Sequence, residues 1–446
     1  MNDLRCRCCG RPRLYNGPIL LQSHATTACA AMRDLAQRGK RLLCGGLRLI
    51  SPFAETKFVV AGYELVYDAP AETTLAASDL RSSSVVWQEI FARARTQIDI
   101  AQFYVANEPG SRLDKAIEAL RQAGERGVKI RFLMDEKGLK LSTPETIAQL
   151  KAIPGLTFRV IRFTRLAGGI IHAKYLIVDD KQSFVGSQNF DWRALEHIQE
   201  TGLLISDAPV VAQIIAIFNH DWSAQPLLEA GEKVPETGTD ALPADLRTGR
   251  YLVASPRAWN PAGIADSQAV LPQLLASARK HIRVQVMDYT PLSFGTKRSR
   301  PFYGVIDSAL RAAAARGVQV ELMVANWNTR QPDIAWLKSL ALIPGMAIKI
   351  VTIPEAGSGF IPYARVVHSK IMTIDGELAW VGTSNWSGGY FDRSRNLELV
   401  LNDAAMAERL DALYLQLWQS RYAVPLGINV DYPTPDPGGL LRRNTP

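Results

Sequence analysis

The stretch IHAKYLIVDD at residues 171–180 and the stretch VHSKIMTID at residues 367–375 decide the fold, because they are two copies of one pattern. Each copy is followed by an apolar run that ends in glycine, a hydroxyl residue and asparagine, as FVGSQN at 184–189 and as WVGTSN at 380–385. Subtracting 172 from 368 and 189 from 385 gives 196 in both cases. One register held over both segments predicts an internal duplication.

The duplication extends upstream of these motifs. RGVKIRFLM at 126–134 matches RGVQVELMV at 316–324, and Ile-Pro-Gly at 153–155 matches Ile-Pro-Gly at 343–345, both 190 positions later. Apolar residues that alternate and then recur at helical spacing predict strand, helix and strand at 94–105, 113–126 and 128–134, and again at 278–289, 305–316 and 318–324. Gly127 and Gly317 are expected to end the two helices. These units predict an α/β fold of two fused, pseudo-symmetric halves, each a central mixed β-sheet flanked by helices.

Composition divides the 446 residues into five segments. We expect a leader at 1–60, a first half at 61–224, a linker at 225–260, a second half at 261–424 and a tail at 425–446. The leader contains all five cysteines and ten Lys/Arg against three Asp/Glu, whereas the remaining residues carry 41 basic against 40 acidic side chains. The overall charge of +8 is therefore no indication that the body of the protein binds nucleic acid.

The leader also bears on localisation. From Met32 it has basic residues, then the apolar stretch 42–50, then small residues, which is typical of an export signal. Export to a periplasmic or extracellular compartment is one hypothesis and a cytoplasmic location is the other. No apolar run reaches the ~18–20 residues that a membrane-spanning helix needs.

The repeated motifs bring chemistry to one place. His172 and Lys174 lie two positions apart in an expected strand, so their side chains project from the same face. Two such motifs that face each other supply imidazoles, ammonium groups and amides, which together bind an anion. The two imidazoles can also move protons or attack phosphorus near neutral pH. The active site is therefore expected at the interface between the halves.

The pattern His-x-Lys-x4-Asp-x6-Gly-Ser/Thr-x-Asn, present twice within about residues 65–423, resembles the phospholipase D superfamily. The segments GSQNFDWRALEHIQE and GTSNWSGGYF are similar to the branch that contains the endolysosomal phospholipase-D-like exonucleases and the poxvirus envelope phospholipase-like proteins. Thr383 stands where the superfamily usually has serine, and it keeps the hydroxyl.

The resemblance implies a role for each motif residue. His172 is expected to attack phosphorus and form a phosphohistidine, and His368 to act as general acid and base. The symmetry of the sequence does not by itself distinguish the two. The groups expected to hold the non-bridging oxygens are Lys174, Lys370, Asn189 and Asn385. The hydroxyls expected to add donors to the substrate are those of Ser187 and Thr383.

The remaining motif residues are carboxylates. Glu200 and Glu398 match the family carboxylates that orient each imidazole through its far nitrogen. Asp179 and Asp375 complete the motifs, so the resemblance counts them among the catalytic residues, where they are expected to fix the end of each strand near the lysine. We expect no metal and no cofactor, because lysines and a covalent step supply what a cation would otherwise supply.

Substrate and partners stay open between alternatives at this stage. The substrate implied is either a phospholipid head group, with peripheral membrane contact, or a single-stranded nucleic acid. Several aromatic residues lie close to the motifs in the sequence. Core packing is the favoured interpretation of each, and base stacking or an acyl pocket is the alternative. They are Tyr104, Trp192, Trp327, Trp386, Tyr390 and Phe391. A phosphatidyltransferase, by transphosphatidylation or like cardiolipin synthase, and a non-catalytic envelope-type binding protein are the other functions. A monomer can complete its own site, so we expect no obligatory protein partner.

Overall fold

The computed structural model describes residues 56–238, 242–243, 245–295 and 299–440. Strands of the first half are β1 (Phe58–Val60), β2 (Tyr63–Asp68), β3 (Gln97–Gln102), β4 (Val105–Ala106), β5 (Lys129–Asp135), β6 (Leu156–Ile161), β7 (Lys174–Val178), β8 (Gln182–Gly186), β9 (Phe190–Asp191) and β10 (Glu200–Ile205). Its helices are α1 (Ser83–Arg93), α2 (Arg112–Glu125), α3 (Pro144–Lys151), α4 (Phe163–Ala167), α5 (Trp192–Glu196) and α6 (Ala208–Ala230), with a 3₁₀ turn at Glu136–Lys140. Eight strands form one mixed sheet in the order β1-β2-β10-β8-β7-β3-β5-β6.

The second half repeats this plan. Its strands are β11 (Arg250–Ser255), β12 (Ala265–Asp266), β13 (His281–Gln285), β14 (Gln319–Ala325), β15 (Met346–Val351), β16 (Ile371–Ile374), β17 (Leu378–Gly382), β18 (Asn396–Asn402) and β19 (Ala423–Pro425). Its helices are α7 (Ser267–Ser277), α8 (Val305–Ala315), α9 (Asp333–Ala341), α10 (Gly388–Asp392) and α11 (Ala404–Trp418), with 3₁₀ turns at Arg257–Trp259 and Asn326–Thr329. The sheet order is β12-β11-β18-β17-β16-β13-β14-β15-β19.

The two sheets share a common topology, which confirms the predicted α/β duplication. In each sheet three neighbouring strands are parallel, β3-β5-β6 and β13-β14-β15, and most of the other pairings are antiparallel. The helices α2 and α8 both end before an Arg-Gly-Val sequence, where Gly127 and Gly317 have the same positive φ of 89°. Only glycine adopts this backbone without steric cost, so the sequence ends both helices at equivalent positions.

A hydrophobic core that draws side chains from both sheets joins the halves. Val185 and Leu203 of the first sheet belong to the same buried cluster as Val381 and Leu399 of the second, together with apolar residues of α6 and α11. Separate cores lie between the first sheet and α1–α3, and between the second sheet and α7–α9. The active-site motifs therefore sit on two sheets that pack against each other.

The boundaries of the halves differ from those expected from composition. The segment 225–260 was expected to be a linker, but α6 continues to Ala230 and β11 already begins at Arg250. Every second residue of β11, at Leu252 and Ala254, faces the central core, which explains why this proline- and glycine-rich region ends in a strand.

The tail pairs through β19 with β15, and Pro437 accepts a backbone hydrogen bond from Tyr363. Residues 1–55 of the expected leader, with the hypothetical export signal, lie outside the described residues. No helix among those described is long and apolar enough to cross a membrane.

Candidate active site

Each motif is anchored to the opposite half by backbone hydrogen bonds. The amides of His172 and Ala173 both donate to the carbonyl of Arg395, at 3.0 and 2.9 Å. The amides of His368 and Ser369 both donate to the carbonyl of Gln199, at 2.8 and 3.1 Å. The two anchors are related by the internal symmetry, so they bring the two histidines to one interface.

Both lysines adopt the same buried conformation. The ammonium of Lys174 donates to the carbonyl of His172, and that of Lys370 donates to the carbonyl of His368. The exposed fraction of the lysines is 1% and 0%. The charges of both lysines act on both histidines, so the two pairs share one site. The strands are shorter than expected, because β7 begins at Lys174 and β16 at Ile371, so both histidines precede their strand.

The second histidine has a carboxylate partner. Nδ1 of His368 lies 2.9 Å from Oε2 and 3.0 Å from Oε1 of Glu200, a residue of the first half. Glu200 is completely buried and the His368 side chain is 9% exposed. A carboxylate in this position stabilises the imidazolium form, and the carbonyl of Ser187 adds to that preference.

The first histidine has an amide partner instead. Nδ1 of His172 lies 3.1 Å from Oδ1 of Asn396. The amide nitrogen of Asn396 donates to the carbonyl of Tyr390 at 2.9 Å, and the hydroxyl of Thr383 donates to Oδ1 at 2.9 Å. Because these bonds fix the amide orientation, Nδ1 of His172 must carry the proton and Nε2 keeps its lone pair.

The prediction that Glu398 orients an imidazole is wrong. Its carboxylate accepts hydrogen bonds from the hydroxyls of Ser267 and Ser384, and the residue is completely buried away from His172. It therefore ties the start of α7 to the turn after β17. The residue 196 positions after Glu200 is Asn396, and the same register that relates the histidines could have identified it.

The hydroxyls of Ser187 and Thr383 form hydrogen bonds within the protein. Ser187 donates to the carbonyl of Thr201 at 3.2 Å, accepts from the Thr201 amide at 3.0 Å, and lies beside Glu200. Thr383 donates to Asn396 and accepts from the amide of Leu397 at 3.1 Å. Both residues are fully buried, so the structure gives them the role of positioning the partners of the histidines, in place of the predicted contact with substrate.

The motif aspartates lie outside the pocket. Asp179 accepts backbone hydrogen bonds from residues 95–97, and Asp375 accepts them from residues 279–281. Partial burial opposes ionisation, but these bonds hold the pKa of both carboxyl groups below the usual range. Five residues of strand separate Asp179 from Lys174, or about 16 Å. Both aspartates therefore fix the end of their strands, and their assignment to catalysis is corrected.

Two asparagine side chains complete the pocket. Oδ1 of Asn189 and Oδ1 of Asn385 are buried without a hydrogen-bond partner in the protein, and the amide nitrogen of Asn385 faces the Tyr390 hydroxyl. Buried amides of this kind are available to a substrate oxygen. Their availability fits the prediction that they hold the non-bridging oxygens.

Aromatic rings continue outward from His172. Its ring lies 4.7 Å from that of Tyr390 and 6.0 Å from that of Phe103, and Phe294 follows 5.3 Å beyond Tyr390. Sequence reasoning considered Tyr390 but missed Phe103 and Phe294. Trp386 and Phe391 belong to the core of the second half, as core packing predicts.

Burial dominates the electrostatics of the site. It lowers the pKa of Lys370 to about 7 and that of Lys174 well below its usual value. It also raises the pKa of Glu200 to about 8, so near neutral pH the hydrogen-bonded Glu200–His368 pair holds one proton that either group can carry. Burial and the nearby lysines hold the pKa of both His172 and His368 well below the usual value. An anion in the pocket would favour the charged lysines, because it offsets the loss of their hydration.

Comparison with known proteins gives one family for both halves. The family model described as "Cardiolipin synthase, PLD-like domain" matches residues 88–222 and 271–418. A probable phospholipase D of Caenorhabditis elegans is 31% identical over 373 residues, which are 76% of this chain and 66% of the nematode protein. The 5′-3′ exonuclease PLD3 of Homo sapiens is 29% identical over 395 residues, which are 78% of this chain and 77% of the human protein.

The fold is also similar to a solved structure. The crystal structure of phosphatidylserine synthase from Haemophilus influenzae superposes with a TM-score of 0.54 at 11% identity. The match covers 77% of this chain and 85% of the other. At this identity the likeness shows the fold alone.

Proposed function

The chain belongs to the phospholipase D superfamily, and we propose that it hydrolyses phosphodiesters without a metal, through a covalent phosphohistidine. The observation that carries the proposal is the different partner of each histidine. His172 is held by an amide and keeps an unprotonated Nε2, whereas His368 is held by a carboxylate. The first arrangement suits a nucleophile and the second suits a proton donor.

The proposed reaction has two steps. Nε2 of His172 attacks phosphorus, the P–O bond to the leaving alcohol breaks, and the proton held by the Glu200–His368 pair passes to that oxygen. His368 then removes a proton from water, the resulting hydroxide attacks phosphorus, and the P–N bond breaks to release His172. Lys174, Lys370 and the amides of both asparagines would stabilise the charge on the non-bridging oxygens in both steps.

The neutral partner of His172 also helps the second step. A carboxylate hydrogen-bonded to Nδ1 would stabilise the positive imidazole of the intermediate and so slow its breakdown. The amide of Asn396 orients the ring without adding a charge. The low pKa of His172 further favours the neutral nucleophile in mildly acidic solution.

We propose single-stranded nucleic acid as the substrate. The partly exposed rings of Phe103, Tyr390 and Phe294 adjoin the proposed nucleophile, and base stacking on aromatic rings tolerates any sequence. Relatives named as 5′-3′ exonucleases support this choice, whereas relatives named as phospholipase D support a phospholipid. The family description supports transfer to an alcohol as the alternative reaction.

Parallel turnover assays in EDTA test the proposal. One assay contains 5′-hydroxyl single-stranded DNA, and the other contains phosphatidylcholine vesicles with ethanol. Release of nucleotides supports the proposed substrate, choline release indicates a phospholipase, and phosphatidylethanol indicates transfer. His172→Ala should abolish turnover and leave the thermal unfolding temperature within a few degrees of the parent. Unchanged turnover in that variant would overturn the site assignment, and no activity in either assay would favour a binding protein.

A further inference from the structure

Three buried polar side chains beside the pocket each have a polar atom without a hydrogen-bond partner in the protein. They are Asp288 through Oδ1, Thr290 through its hydroxyl and Asn385 through Oδ1. Their exposed fractions are 8%, 3% and 0%. Leaving a buried polar group unpaired is unfavourable, so several such groups together indicate a place where a ligand supplies the partners.

The local backbone turns all three side chains to the same side. The Tyr289 hydroxyl donates to Asp307 at 2.6 Å on the core side, so its neighbours Asp288 and Thr290 face the other way. Trp386 pairs with this segment through hydrogen bonds of 3.0 Å to the backbone of Asp288 and Thr290. Since Trp386 also lies in the core, its neighbour Asn385 faces the same side as Asp288.

This side is the reaction pocket. The charge of Asp288 acts on both Lys370 and Tyr390, and the Tyr390 ring contacts His172. Among the described residues, Arg330 forms an ion pair with Asp288 at 3.8 Å, which is longer than a hydrogen bond. Arg330 also donates to Asp333 at 2.9 Å, so the Asp288 carboxylate keeps the capacity to accept from a ligand.

The equivalent place in the first half is closed. Tyr104 corresponds to Asp288, because β3 and β13 are related by 184 positions. The Tyr104 hydroxyl donates to Asp191 at 2.6 Å, and Asp191 pairs with Arg193 at 2.8 Å. Tyr104, Asp191 and Arg193 satisfy one another, so the unpaired acceptor at this position of the repeat lies on the second-half side, in Asp288.

We infer that Asp288, Thr290 and Asn385 form a subsite for a hydroxyl-bearing group, a sugar or other polyol, that is esterified to the scissile phosphate. A carboxylate only accepts hydrogen bonds, so it requires a donor such as a hydroxyl. The hydroxyl of Thr290 and the amide of Asn385 can accept from or donate to the same group, and the ring of Tyr390 supplies an apolar face. The inference rests on the proposed phosphodiesterase activity and names the chemistry of its substrate.

Matched substrates test the subsite. The nucleoside pair is thymidine 3′-(4-nitrophenyl phosphate) and its 5′-deoxy analogue, and the polyol pair is glyceryl and propyl 4-nitrophenyl phosphate. In the parent protein, kcat/KM should be higher for the hydroxyl-bearing member of at least one pair. A preference within the nucleoside pair indicates that the subsite binds a nucleoside, and a preference within the polyol pair indicates a glycerol-like group. Asp288→Asn should reduce that preference by about 10- to 100-fold, as expected when a hydrogen bond to a charged group is lost.

Two further variants keep the test decisive. Thr290→Val should reduce the same preference if Asp288→Asn does not fold. Asp307→Asn is the matched control, because it removes a buried carboxylate on α8 that contacts Tyr289 from the core side, and it should lower stability without changing the preference. The subsite would be overturned if Asp288→Asn or Thr290→Val preferred the hydroxyl-bearing substrate as strongly as the parent protein does. Bis(4-nitrophenyl) phosphate reports on the proposed function separately, because it carries no hydroxyl, and absence of its turnover would overturn the phosphodiesterase itself.

Discussion

Glu200→Gln removes the charge that holds His368 and changes little else. Oε1 and Oε2 of Glu200 lie 3.0 and 2.9 Å from Nδ1 of His368, and the glutamate is completely buried. Glutamine has the same shape, so the substitution leaves the packing intact. The imidazolium form of His368 then loses its carboxylate, and the proposed proton donor is weakened.

The expected loss follows from the strength of a buried hydrogen bond to a charged group. Such a bond contributes about 1.5 to 3 kcal/mol. Each 1.36 kcal/mol changes a rate by a factor of ten, so kcat should fall about 10- to 150-fold. This loss applies only where the leaving oxygen needs a proton. A deoxynucleoside alkoxide needs one, whereas 4-nitrophenolate is stable without it.

The assay therefore compares two leaving groups in single-turnover experiments. With an oligonucleotide, Glu200→Gln should show the full loss in the first step. With a 4-nitrophenyl diester, release of 4-nitrophenolate should stay within about threefold of the parent, because proton donation contributes little there. Asn396→Leu is the paired variant, and it should slow the first step for both substrates because it disturbs His172, the proposed nucleophile.

Either of two results would refute the assignment of the histidines. An equal loss on both substrates in Glu200→Gln would mean that Glu200 does not act through proton donation. A loss in Asn396→Leu that depends on the leaving group would mean that His172 is the proton donor. Thermal unfolding of both variants separates these outcomes from a failure to fold.

Three further predictions follow from the charges of the structure. Burial lowers the pKa of Lys370 to about 7, so its cation is present below that pH and lost above it, and kcat/KM for an anionic diester should fall as pH rises through 7 in a pH–rate profile. A profile that rises between pH 7 and 9 would contradict this. Arg395→Met leaves Asp221 buried without the 2.8 and 2.9 Å ion pair, and denaturant unfolding should show a loss of about 3 to 5 kcal/mol. Asp179→Asn keeps a residue that tolerates the positive φ of 53° and should cost about 1 to 2 kcal/mol of stability while kcat stays unchanged, and a large fall in kcat would return this aspartate to the active site.

Sequence periodicity was sufficient to predict the duplication and the elements that repeat. The recurrent Arg-Gly-Val predicted where α2 and α8 end, because a glycine at positive φ is a local requirement of the backbone. The alternation of apolar residues predicted strands near β3, β5, β13 and β14 within a few residues. Boundaries were less accurate between the halves, where composition indicated a linker and tertiary packing produced β11.

The chemistry of the site was also predictable from the sequence only in part. His, Lys and Asn recur at the same spacing in both halves of the sequence. This repetition identified the groups that the structure gathers around the pocket. The sequence could not show which free polar atoms remain after folding, because Asp288 and Tyr104 occupy equivalent positions and only their neighbours decide that one is paired. Such neighbours come from segments far away along the chain.

The sequence by itself determined two fused halves, their strand–helix–strand units and the two His-x-Lys pairs, because these depend on local spacing. Only the tertiary structure decided the partners of the histidines. Glu200 reaches His368 over 168 positions, and Asn396 reaches His172 over 224. Each contact crosses from one half to the other, so it depends on how the two sheets pack. That packing gave one histidine a carboxylate and the other an amide, and so made a nearly symmetric sequence into an asymmetric site.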